Sequence, residues 1–145
     1  MAQTFSFLDD VAIADMAFEA SGDTPQELFC AAAQALFEAM ADLSRLQPGI
    51  QRHIRLRSDQ LDHLLFDWLA ELIYLKDAEQ LLFNQFSVRL TQNNNHWELD
   101  ALAQGERIDL KRHDLRADVK AVTYHQFEVG QTPDGLWRAR VVLDV

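Results

Sequence analysis

Three places in this sequence combine residue types and spacing that suit chemistry. The first is Asp9-Asp10-Val11-Ala12-Ile13-Ala14-Asp15, three carboxylates around the start of an alternating run. If Ala12, Ala14 and Met16 share one face of a strand, Asp15 lies on the other with Ile13 and Ala17. A carboxylate between apolar neighbours is costly to bury unless its charge is compensated, and the bland alternative is an Asp on a solvated sheet face. The second place is the ending Val141-Val142-Leu143-Asp144-Val145. Its apolar strand pattern runs to the last residue, which would set the α-carboxylate of Val145 beside the side chain of Asp144. Adjacent anions of this kind suit a hard cation, because Ca²⁺ and Mg²⁺ prefer carboxylate and carbonyl oxygens. The third is Lys120, in a strand pattern where Lys120, Val122 and Tyr124 share a face. It is placed to bind a phosphate or pair with an acid, or simply to lay its stem along the sheet.

Other reactive side chains offer less. Cys30 sits beside the apolar stripe of an Ala-rich helix and reads as structural, since a nucleophilic thiol needs a depressed pKa and a His neighbour. A lone cysteine also excludes an internal disulfide framework and a Cys-based zinc site. The five histidines (53, 63, 96, 113 and 125) never fall at metal-ligand spacing. Phosphate-binding glycine loops, the Gly-x-Ser-x-Gly elbow and His-Glu-x-x-His are all missing.

The elements that must position these residues are legible from periodicity and caps. Thr24-Pro25-Gln26-Glu27 matches a capping box with Pro at the first helical position. Leu28, Ala32, Ala35, Leu36, Ala39 and Met40 then recur at helical spacing. A second helix starts near Ser58-Asp59, with Leu61, Leu64, Leu65, Trp68, Leu69, Leu72 and Ile73 as its stripe and Asp62, Asp67, Glu71 and Lys76 mostly outside it. One strand precedes the first helix, and His53–Arg57 alternates between the two helices. Leu81–Leu90 and Trp97–Leu102 flank Asn93-Asn94-Asn95 as a hairpin. Val119–Val129 and Leu136–Leu143 flank Thr132-Pro133-Asp134-Gly135 as a second. The expected fold is α+β, two helices packed on one face of a mostly antiparallel sheet, in the order β-α-β-α-β-β-β-β.

Composition bounds the function. The chain has 145 residues, 48% hydrophobic and 25% charged, with 13 Lys and Arg against 23 Asp and Glu for a formal charge of −10. That suits one domain spanning 1–145, since domains run to about 100–200 residues. The acidic balance argues against direct nucleic-acid binding, which needs clustered Lys and Arg. Residues 1–50 hold eight acids and one base, so most of the excess lies in the first third and points to a cation site or a basic partner there. With no signal-peptide pattern and no membrane-length apolar run, the reading is a soluble cytoplasmic protein.

Four phrases carry a family likeness: Phe7-Leu8-Asp9-Asp10-Val11-Ala12-Ile13-Ala14-Asp15, Ser21-Gly22-Asp23-Thr24-Pro25-Gln26-Glu27-Leu28-Phe29, Asp118-Val119-Lys120-Ala121-Val122-Thr123-Tyr124-His125 and Val141-Val142-Leu143-Asp144-Val145. In order and at matching length they resemble archease. The resemblance implies a protein cofactor, not an enzyme, that activates an RtcB-type RNA ligase in tRNA splicing and RNA repair by promoting guanylylation of the ligase and multiple turnover. It also implies a divalent-metal site, calcium first and magnesium or manganese as alternatives. Its ligands fall on Asp15, Asp144 and the terminal carboxylate of Val145, and the family lysine falls on Lys120. Many members read Asp-His-Thr-Ala-Asp where this chain runs two residues longer and lacks the His, so Asp9 or Asp10 stands as an alternative to Asp15. Two other readings compete: a metal-dependent phosphoester hydrolase using His125 as acid or base, and a chaperone-like module whose useful surface is a sheet face.

Overall fold

The computed structural model describes residues 3–8 and 15–145. Strand β1 (Thr4–Leu8) and strand β2 (Asp15–Gly22) lead into helix α1 (Pro25–Met40). Thr24 caps α1 by accepting from the Glu27 N–H at 3.2 Å. Glu27 reaches back to the N–H of Asp23 at 2.7 Å, one residue earlier than the usual reciprocal bond. A 3-10 turn at Leu43–Arg45 and strand β3 (Ile50–Ser58) follow, then helix α2 (Leu61–Glu79). The chain closes with β4 (Leu81–Asn93), β5 (His96–Arg107), β6 (Ala121–Gln131) and β7 (Trp137–Asp144). Both expected hairpin turns form, with Asn94 at φ 51° and Gly135 at φ 90°, residues that tolerate the left-handed region.

The α+β class and the helix–strand order hold, with two differences. An additional strand, β1, precedes the expected first one, and the strands divide into two antiparallel sheets, β1-β2-β7-β6 and β3-β5-β4. The hairpin patterns are local, but which third strand each hairpin recruits is a non-local choice that periodicity does not encode. β7 recruits β2, and β5 recruits β3. α1 packs against both sheets through β2 and β4, and α2 packs on β6 and β3. Leu28, Phe29, Leu36 and Phe37 of α1 are wholly buried, as are Leu64, Leu65, Trp68 and Leu72 of α2 and Phe18, Val141 and Leu143 of the first sheet. The Trp68 indole N–H donates to the Phe29 carbonyl at 3.1 Å and ties the helices together. Among the described residues no helix is long and apolar enough to cross a membrane.

The segment joining β5 to β6 is held by specific bonds despite its lack of regular structure. Leu115 bridges Ala41, and the N–H groups of Arg116 and Ala117 donate to the Met40 and Ala39 carbonyls at the end of α1. Near its start, Glu106 accepts from Arg112 at 2.5 Å and from the Gln47 N–H at 3.1 Å. His113 Nδ1 accepts the Asp109 N–H, so its other nitrogen carries the proton and donates to Glu106 at 2.7 Å.

The Arg112 guanidinium, helped by His113 and the Gln47 N–H against the opposing effect of burial, holds the Glu106 carboxyl down to about 2 from an ordinary 4.5. A depressed carboxylate contributes stability above its unfolded value and loses it as pH falls toward the folded value. Wild-type stability is expected to decline between about pH 4.5 and 2, and Glu106→Gln to flatten that part of a urea-denaturation pH profile. A second test of the packing is Gly105→Ala. A Cβ there would lie 1.8 Å from the Leu82 carbonyl oxygen on the neighbouring strand. Displacing backbone in a packed sheet should cost at least about 1–3 kcal/mol, read as a lowered denaturation midpoint.

Candidate functional site

In the β2–β7 ladder Asp15 is the Cα partner of Asp144, and Ala121 of β6 pairs with Asp144 from the other side. Directly paired residues on neighbouring strands project to the same face. Both carboxylates therefore leave the sheet on one side, opposite the side on which Phe18, Val141 and Leu143 enter the core. The next row on the carboxylate side is Ala17 opposite Val142, both essentially inaccessible. A pair of acids thus stands at the end of a sheet above a dry row of small apolar side chains. Neither acid makes an ion pair with a described residue. Like charges directly opposite in a sheet cost roughly 0.2–1 kcal/mol.

The remaining residues singled out from sequence fall as follows. Val145 packs partly against the core next to Asp144. Lys120 precedes β6 instead of lying within it. Its N–H donates to the Asp144 carbonyl at 2.8 Å, and its exposed ammonium makes no ion pair with a described residue. It does not share a strand face with Val122 and Tyr124 as the alternation suggested. Val122 is buried in the core, while Tyr124 belongs to a bulge in which the register slips between Thr123 and Glu128. Asp9 and Asp10 lie outside the described residues.

The donor set suits a hard cation in kind, with two carboxylates on one face of the sheet. Among the described residues no three His, Cys, Asp or Glu side chains stand together as ligands. The histidines are engaged elsewhere: His53 with Asp100, His96 with Glu98, and His113 with Glu106. His125 is exposed on the β6 bulge. Cys30 donates to the Phe86 carbonyl at 3.7 Å, and burial pushes its thiol up, the wrong direction for a nucleophile.

The position of Lys120 depends on a residue that the helical pattern appeared to place outside the apolar stripe. Lys76, four residues after Leu72 and seven after Leu69, falls on the inner side of α2 and is buried. Its ammonium donates to Asp118 at 3.0 Å and to the Val119 carbonyl at 2.9 Å, and pairs with Asp77 at 2.6 Å. It anchors the two residues immediately before Lys120. Its spacing from Leu69 and Leu72 was the available signal, but a terminal-turn lysine ordinarily reads as solvated.

Comparison with known proteins now bears on this geometry. Residues 5–145 match the model of the Archease protein family. This chain belongs to the archease family. The protein archease of Methanosarcina barkeri is 39% identical over 142 residues, covering 97% of this chain and 95% of that one. Its namesake in Pyrococcus furiosus is 36% identical over 132 residues, covering 91% and 93%. The solution structure of Methanobacterium thermoautotrophicum protein 1598 superposes with a TM-score of 0.86 at 39% identity, over 97% of this chain and 98% of that one. The archease fold thus accounts for both sheets.

The cross-strand acid pair makes a prediction that needs no partner. In chelator and low salt, Asp15→Asn and Asp144→Asn should each raise the melting temperature by removing the like-charge contact, worth about 0.2–1 kcal/mol. A cation site at this pair would reverse the order on addition of Ca²⁺, because only the wild type would then gain from the ion. Differential scanning calorimetry in the two buffers checks it.

Proposed function

We propose that this chain serves as an accessory factor, not itself a catalyst, for an RtcB-type RNA ligase in tRNA splicing or RNA repair. The observation that carries the reading is the pairing of Asp15 with Asp144 on one sheet face, with Lys120 at the same end of the sheet. Asp15, Asp144 and the Val145 carboxylate would hold a divalent ion, calcium first among the candidates. Such an ion supplies positive charge for phosphate oxygens in nucleotidyl transfer. The chain's own contribution is to fix two hard donors on a rigid ladder, with the exposed Lys120 at the same end of the sheet as a candidate phosphate contact. An acidic protein is drawn to the basic RNA-binding surface of a ligase and is repelled by RNA itself.

A hydrolase reading has less support. Cys30 is the wrong kind of thiol, and His125 has no orienting partner among the described side chains; its backbone N–H alone donates, to Thr123 Oγ1. The chaperone-like reading predicts tolerance of changes at Asp144 and Lys120.

A multiple-turnover RNA ligation assay separates these readings. Wild type should convert stoichiometric ligation into repeated turnover and raise the yield of guanylylated ligase. Asp15→Ala and Asp144→Ala should lose most of that stimulation, and Lys120→Ala should reduce it. A Gly-Ser extension after Val145 should also abolish it, and undiminished stimulation by that variant would remove the terminal carboxylate from the site. Phosphoester turnover without any ligase would favour the hydrolase.

A further inference from the structure

The outward face of α2, with the β6 bulge packed beside it, forms an aromatic surface distinct from the Asp15–Asp144 pair. His63, Phe66, Ala70 and Tyr74 recur at i, i+3, i+7 and i+11, which places them along one helix face. All four are at least partly exposed. Tyr124 extends this seam from the neighbouring strand. Its ring lies flat on Phe66, with centroids 3.8 Å apart and planes within 2°. Phe127 meets both rings edge-on at 5.7 and 5.9 Å, and His63 closes another edge at 6.3 Å. The slipped register swings Tyr124 and Phe127 out of the β6–β7 ladder, with Gln126 at φ 52° in the turn. The chain contains only two tyrosines. Both lie here, Tyr74 at 61% and Tyr124 at 60% exposure, among the few large hydrophobic residues left open to solvent.

The charge around the seam is mostly negative, although Glu79 is paired with Arg52 and Arg140 bonds Gln126 of the bulge. Residues 59–79 carry six acids and one base, and that base, Lys76, is buried and already paired. Asp67 and Glu71 line the seam without an ion pair to any described residue. β6 contributes Glu128 and no Lys or Arg. Rigid tyrosines within an acidic surround select for arginine, whose planar guanidinium stacks on aromatic faces while its charge meets carboxylates. Phosphate is excluded by the same acids. A second copy of this face is disfavoured too, since it would set acids against acids.

We propose that this α2–β6 face is the docking surface for a basic, arginine-bearing protein surface, with Tyr74 and the Tyr124–Phe66 stack as its anchors. The proposal rests on the accessory-factor reading insofar as the partner is the ligase. Docking is then separable from chemistry: the aromatic face holds the partner, and the Asp15–Asp144 end acts on it.

Binding of the full chain to the ligase, measured by biolayer interferometry at low and at moderate salt, tests this. Wild type should bind, and more weakly as salt rises. Tyr74→Ala and Tyr124→Ala should each weaken binding about tenfold, the ordinary loss at an interface anchor. Asp67→Lys combined with Glu71→Lys should slow association and flatten the salt dependence. All three should keep the calcium response of wild type, whereas Asp144→Ala should bind the ligase normally and fail to stimulate it. Wild-type affinity in the tyrosine and charge variants alike would overturn the docking surface and leave the accessory role intact. If the ligase does not bind at all, the accessory role fails, and a short Arg-Gly repeat peptide replaces it as probe. Resonance shifts concentrated at His63, Phe66, Tyr74 and Tyr124 would then uphold the surface. Scattered or absent shifts would overturn it, as would RNA binding or self-association through these tyrosines.

Discussion

The register of β2 against β7 is fixed by burial on one side of the sheet, and the arrangement of the candidate site follows from it. Met16, Phe18 and Ala20 face the core together with Leu143, Val141 and Ala139 across the ladder. Because side chains alternate with a period of two, a slip of one residue would turn that whole set away from the core, onto the face that carries Asp15 and Glu19. The core therefore fixes which residues appear on the opposite side, and it fixes Asp15 opposite Asp144. The like-charge cost of that pair, a fraction of a kcal/mol to about 1 kcal/mol, is small beside the burial of a single Phe at about 1.5–3 kcal/mol. The fold can hold the two acids together without a ligand and is not forced to relieve them.

A second constraint acts from the helix side. Lys120 has no regular structure of its own to fix it, yet its neighbours are held at three levels. Glu106, Arg112 and His113 fold the start of the connecting segment, the Ala39 and Met40 carbonyls take its middle, and Lys76 takes Asp118 and Val119 at its end. The buried ammonium costs desolvation, which its three oxygen partners offset. Lys76 thereby links α2 to the strand that pairs with Asp144. Between the outer face of α2 and Lys120 there lie only the helix, one buried charge and two residues of chain.

Elements whose signals are local were legible in the sequence. The Thr24 cap, both helical stripes and the two hairpin turns each depend on contacts within a few residues, and each formed. The partition into two sheets was not legible, because β2–β7 and β3–β5 pairings join segments far apart in the chain and alternation is blind to partner choice. Asp15 and Asp144 were each visible as candidates, but only the shared pairing row makes them one site. Lys76 was misplaced because side-chain type was weighed above helical position. The β6 bulge escaped for a similar reason. Val122 and Tyr124 alternate in sequence as if on one regular strand, and nothing in their types announces a register slip of several residues.

The distribution of charge also reads differently once folded. Along the chain the acidic excess lies in the first 50 residues, yet several of those acids serve local structure: Glu27 bonds the N–H before α1, Asp42 caps the 3-10 turn, and Glu38 pairs with Arg116. On the surface the excess around α2 matters more, since its one lysine is withdrawn into the core and Asp67 and Glu71 are left beside exposed tyrosines. A partner attracted by such a face is steered over a distance of about one Debye length, roughly 8–10 Å in ordinary salt, before any contact forms. Long-range attraction of this kind raises the rate of encounter more than the lifetime of the complex. On the accessory-factor reading proposed above, that balance would allow release after each activation, because anchors as few as two tyrosines permit it while the acidic field favours return.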